Sequence, residues 1–142
     1  MIERLIVVAI LTLLVLGAMG LWRLYSSRRL QMLQTDRAPD ELSALVGGRQ
    51  GPALLYFTTP SCTQCRYRQA PILDRLSGSA QVPIHKVDAV EEDALARHFG
   101  IMTVPTTIWL DEQTRPVAIN HGLASLDTLS QQLQLVSAPQ AA

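Results

Sequence analysis

Cys62 and Cys65 are the two cysteines of this 142-residue chain, and they stand together in "FTTPSCTQCRYRQAP". Thiols two residues apart can close a disulfide, supply half of a zinc shell, or simply fill a core. Their flanks bear on the choice. "PALLYFTT" reads as a buried strand, and residues 62–76 have helical spacing, with Cys65, Ile72, Leu73 and Leu76 able to share an inward face. Cys62 then falls where a strand gives way to a helix. Unsatisfied N–H groups at a helix start carry partial positive charge and favour a thiolate; Arg66 adds a cation nearby. Cys62 is therefore the expected nucleophile, the more exposed and more readily ionised of the two. Cys65, one turn later, is the expected resolving thiol, placed to displace a mixed disulfide formed on Cys62.

The elements that must hold this pair follow from patterning. "PDELSALVGG" reads as a short helix with Pro39 at its start and Gly47 and Gly48 at its end. "VPIHKVDA" alternates like a strand, and "EEDALARHFG" has acids at its head and glycine at its tail, as a helix dipole favours. "VPTTIWLD" and "PVAINHG" read as a hairpin turning through "EQTR", with Phe57 and Trp109 assigned to the core. "SLDTLSQQLQLV" is an amphipathic helix with Ser125 as its cap, and "SAPQAA" a frayed tail. Strands alternating with helices imply a parallel portion, and the late hairpin an antiparallel edge. The expected fold is an α/β mixed sheet covered by helices on both faces.

A strand, C-x-x-C at a helix start, and a later strand preceded by Val104, Pro105 and Thr106 together resemble the thioredoxin superfamily. "KVDA" with the helix ending "HFGI", and "INHGLASLDTLSQQL", are similar to the family's central and last segments; the resemblance covers roughly residues 39–136. It implies the thioredoxin fold. It also implies dithiol–disulfide exchange through Cys62 and Cys65, and a cis-proline segment at Val104, Pro105 and Thr106 that lies against the disulfide and presents backbone groups to substrate. The chain departs from the family in several places. Thr63 and Gln64 separate the cysteines where typical thioredoxins have Gly-Pro, and Ser61 stands where they carry tryptophan. Tyr56 occupies the place of a buried aspartate in many members, and the lysine often paired with it falls near Ile84. Proton transfer at Cys65 would then use water or the Tyr56 hydroxyl. Pro71 follows Cys65 by six residues, one more than usual, which calls for a later kink or a π-bulge.

Residues 5–22, "LIVVAILTLLVLGAMGLW", carry no charge. At ~1.5 Å per residue such a helix spans a hydrocarbon core of roughly 30 Å. A transmembrane anchor is the expected reading, with a signal peptide cleaved near Ala18, Met19 and Gly20 as its rival. Arg23, Arg28, Arg29 and Arg37 follow the span and Arg4 precedes it, so the redox domain is expected in the cytoplasm. Beyond residue 37, seven basic side chains meet ten acidic ones, which excludes an electrostatic footprint for nucleic acid. His85, His98 and His121 lack paired ligand spacing and are expected to be solvated, with no metal and no cofactor.

The expected organisation is an anchor over residues 1–25, a basic juxtamembrane segment and linker over 26–38, a thioredoxin-like domain over 39–137 and a flexible tail over 138–142. Expected partners are disulfide-containing protein substrates, an unidentified electron donor and the membrane through residues 5–22, the chain acting as a monomer. Two readings compete with a membrane-tethered protein-disulfide reductase. One is a thioredoxin-fold binding module without turnover; the other is an extracytoplasmic thioredoxin of the cytochrome-maturation type.

Overall fold

Alternating apolar side chains on one central strand set the architecture. In the computed structural model, which describes residues 2–35, 40–47 and 51–137, β1 (Ala53–Thr58) is buried at every position. Leu55 and Phe57 point to one face while Leu54 and Tyr56 point to the other, as the two-residue period of a strand requires. The sheet order is β2-β1-β3-β4. β2 (Ile84–Asp88) runs parallel to β1, β3 (Thr106–Leu110) antiparallel to β1, and β4 (Pro116–His121) antiparallel to β3. This is the mixed sheet expected from the pattern.

Helices cover both faces. α2 (Asp40–Val46) and α4 (Asp93–Phe99) pack on Leu55, Phe57, Val87, Ile108 and Leu110. α3 (Ala70–Ala80) and α5 (Leu126–Ser137) pack on Leu54, Tyr56 and Trp109. Gly100 ends α4 at φ 63°, a left-handed turn that costs glycine little, and its N–H donates to the Ala96 and Arg97 carbonyls. Ser125 caps α5 as expected, accepting the Thr128 N–H at 3.1 Å.

Register brings three chain segments to one end of the sheet. Phe57 pairs with Thr106, and Thr106 with His121. The chain leaving β1 toward Cys62, the chain entering β3 through Pro105, and the chain leaving β4 at Gly122 are therefore neighbours.

α1 (Ile2–Thr35) is one continuous helix, so the juxtamembrane stretch extends the apolar span without a break as far as Thr35. Residues 6–25 are long and apolar enough to cross a bilayer, and none of that window is buried against the rest of the chain. A core helix of a soluble domain would be mostly buried, whereas a signal sequence shares the same length and composition. The linker residues 36–38, Pro39, Gly48 and the tail 138–142 lie outside the described residues.

Candidate active site

The strand-to-helix junction is built around the first cysteine. A tight turn follows β1, with the Cys62 N–H donating to the Thr59 carbonyl at 3.1 Å. Helical structure begins at Thr63, and the Arg66 N–H donates to the Cys62 carbonyl at 3.2 Å. The Cys65 N–H donates to Cys62 Sγ at 3.1 Å. Cys62 thus caps the helix with its own sulfur. Ser61 is exposed in the preceding turn and Thr58 is the buried last residue of β1. The Arg66 guanidinium reaches back to the Pro60 carbonyl at 3.2 Å, bracing the same turn. Cys62 and Cys65 are joined as a disulfide, with Cα atoms 5.3 Å apart. Cys65 is buried (2% exposed) and Cys62 half-buried, as their positions along the helix predict.

Immediately downstream, Cys65–Gln69 forms a π-helical turn. The Ala70 N–H donates to the Cys65 carbonyl, five residues back. This wider turn absorbs the one extra residue before Pro71, which then sits in the first turn of α3, where a missing N–H is tolerated. Of the two ways to accommodate that proline, the chain uses the π-bulge.

Tyr56 points inward and its hydroxyl donates to the Cys65 carbonyl at 2.9 Å. The phenol offered by the sequence as a proton carrier is therefore committed to a backbone oxygen, not to either sulfur. Burial pushes its pKa above the ordinary tyrosine value, with the Thr58 hydroxyl pulling the other way. A phenol fits here because its ring packs with Leu54, Leu73 and Leu76 while its one polar atom finds an acceptor.

Gln69 was missed by the sequence reading. It is fully buried (0% exposed) and pairs reciprocally with Ala124. Its Nε2 donates to the Ala124 carbonyl at 3.2 Å, and the Ala124 N–H donates to its Oε1 at 2.8 Å. The signal was spacing: Gln69 lies four residues after Cys65 and four before Leu73, on the inward face, but its polarity disguised it.

Val104, Pro105 and Thr106 lie at the same sheet end. The Val104–Pro105 bond is cis; Pro105 and Thr106 are buried and Val104 half-buried. Val104 and Cys62 pack against the same cluster, which includes Cys65. The Pro105 carbonyl accepts the Gly122 N–H at 2.8 Å. Beside this bend, Met102 (89%) and Leu123 (41%) are exposed. Behind the disulfide, a cleft of about 670 Å³ opens between Tyr56, Cys65, Arg66, Leu73, Asp74 and Lys86. The histidines stand apart on β2, α4 and β4. His121 is exposed as expected, but His85 and His98 are half-buried, and His98 meets the Phe99 ring edge-on at 5.0 Å. Burial follows from their positions: a strand residue facing α2 and α4, and a helix end folded onto the core.

Residues 35–135 match the family described as Thioredoxin. The chain belongs to the thioredoxin family. Its thioredoxin domain is similar to protein disulfide-isomerase tigA of Aspergillus niger, 32% identical over 100 residues, which is 67% of this chain and 28% of that protein. A second relative, protein disulfide-isomerase erp38 of Neurospora crassa, is 31% identical over 67% of this chain and 27% of its own length. The chain thus spans under a third of either curated relative. Among solved structures, a point mutant of thioredoxin from Halobacterium salinarum NRC-1 superposes with a TM-score of 0.62. It covers 74% of this chain and 90% of its own at 22% identity, a likeness of fold.

Proposed function

We propose that this thioredoxin is a thiol–disulfide oxidoreductase of the protein-disulfide reductase type, held at a membrane by α1. The observation that carries it is the Cys62–Cys65 disulfide at a helix start, with the Cys62 sulfur already accepting a backbone N–H. Such a donor favours thiolate over thiol, and a thiolate is what attacks. The similarity to protein disulfide-isomerases supports the same reading.

In the dithiol form, the Cys62 thiolate attacks one sulfur of a substrate disulfide. A Cys62–substrate bond forms, and the other substrate sulfur leaves as a thiolate. Cys65 then loses its proton and attacks Cys62 Sγ, closing the 62–65 disulfide and releasing the second substrate sulfur. Two electrons pass to the substrate, and an external dithiol must restore the enzyme. With the Tyr56 hydroxyl engaged elsewhere, water in the cleft behind the disulfide exchanges the Cys65 proton. Val104, Pro105 and Thr106 form the substrate-binding bend beside the pair. A four-residue disulfide ring restrains the unfolded chain only weakly, so turnover is a better account of the pair than stability.

The test is a trap. Cys65→Ser incubated with a protein disulfide should accumulate an adduct through Cys62, and the unsubstituted chain should reduce insulin with dithiothreitol. An adduct that forms without Cys62 overturns the roles, and no insulin reduction favours a binding module.

The membrane reading extends this proposal. α1 carries Trp22 and Tyr25 exposed at the end of its apolar window, the residues that settle at a bilayer interface. Four arginines follow the span and one precedes it, which supports a cytoplasmic redox domain. A reporter fused to the C-terminus should stay cytoplasmic; its export would reverse the orientation and favour the extracytoplasmic reading.

A further inference from the structure

Gln69 links two walls of the site. The π-helical turn buries Cys65 and Gln69 while Arg66, Tyr67 and Arg68 remain exposed. The Gln69 carboxamide then pairs with both backbone groups of Ala124, 55 residues away, much as a neighbouring strand would. Two residues before Ala124, Gly122 turns at φ 86° and donates its N–H to the Pro105 carbonyl. An unbroken line of contacts therefore runs from the disulfide helix through Gln69 to residues 122–124 and on to the proline bend. Leu123, between Gly122 and Ala124, and Met102, three residues before Pro105, are exposed apolar groups.

We propose that Gln69 is a positioning residue that fixes the spacing between the disulfide turn and residues 122–124, and so favours polypeptide disulfides over small ones. The proposal rests on the oxidoreductase reading. A polypeptide touches both walls at once, so its binding depends on their separation. A small disulfide needs only the Cys62–Cys65 pair and not the second wall. An apolar side chain at 69 fills the same space but leaves the Ala124 N–H and carbonyl without partners inside the core, and the segment must move to recover them.

The 142-residue chain in detergent is assayed on insulin with dithiothreitol as reductant and, pre-reduced and freed of dithiothreitol, in single turnover on a small aromatic disulfide. Gln69→Met should raise KM for insulin about tenfold, ~1.4 kcal/mol of lost binding, with kcat held within about twofold. Its rate on the small disulfide and the Cys62–Cys65 reduction potential should stay unchanged. Gln69→Glu provides a second variant, since a protonated carboxyl keeps one donor and one acceptor. Its insulin KM, relative to the unsubstituted chain at the same pH, should approach unity in acid and rise as the carboxyl ionises. Equal losses on both disulfides, or an unchanged insulin KM in both variants, would overturn the proposal. Inactivity of the unsubstituted chain on both disulfides would remove the oxidoreductase reading itself, a result no variant ratio could imitate.

Discussion

The two faces of the sheet share one set of strands yet are packed for different ends. On the α2 and α4 side, Leu42, Val46, Phe57, Leu95, Phe99 and Ile108 interlock as hydrocarbon, with Phe57 and Phe99 meeting edge-on at 6.1 Å. On the α3 and α5 side the same burial accommodates the disulfide, the Tyr56 phenol and the Gln69 amide, and an Asn120–Gln132 pair joins β4 to α5. Apolar burial is non-directional, whereas each buried polar group demands a partner at a suitable distance and angle. The hydrocarbon face therefore supplies stability, and the polar face supplies position.

That division can be broken experimentally, most forcefully on the hydrocarbon side. Phe57→Ala should destabilise the domain by about 3–5 kcal/mol in urea unfolding, a large share of any single-domain stability. The Cys62–Cys65 equilibrium with glutathione should not move in the fraction that remains folded. A shifted equilibrium would mean the faces are not separable.

A smaller effect sharpens the contrast from the other side. Tyr56→Phe keeps the ring and removes one hydrogen bond, at a cost of ~1 kcal/mol, while leaving the Cys65 carbonyl with its bond from Ala70. The reduction potential should shift, because that carbonyl sits on the resolving cysteine. The pH dependence has a definite sign. Burial raises the Tyr56 pKa, so the fold favours the neutral phenol. The associated stability is present below the ordinary tyrosine value of about 10 and is lost as pH climbs through the raised folded value. Tyr56→Phe should flatten this alkaline loss in pH-dependent unfolding. An unchanged alkaline limb together with an unchanged potential would show that Tyr56 acts only as a packing residue.

What could be read directly from the chain was whatever depends on local pattern. The order of helices and strands, the cap at Ser125 and the strand-end position of Cys62 all follow from side-chain type and short-range spacing, because backbone hydrogen bonding and burial obey fixed periods. The family resemblance carried the pairing of the cysteines with the distant Val104, Pro105 and Thr106. Tertiary structure alone decided where two polar groups spend their hydrogen bonds: Tyr56 on the Cys65 carbonyl and Gln69 on Ala124. A side chain's type states what it can donate or accept. Only packing across 9 or 55 residues of separation states which partner is within reach once water has been excluded.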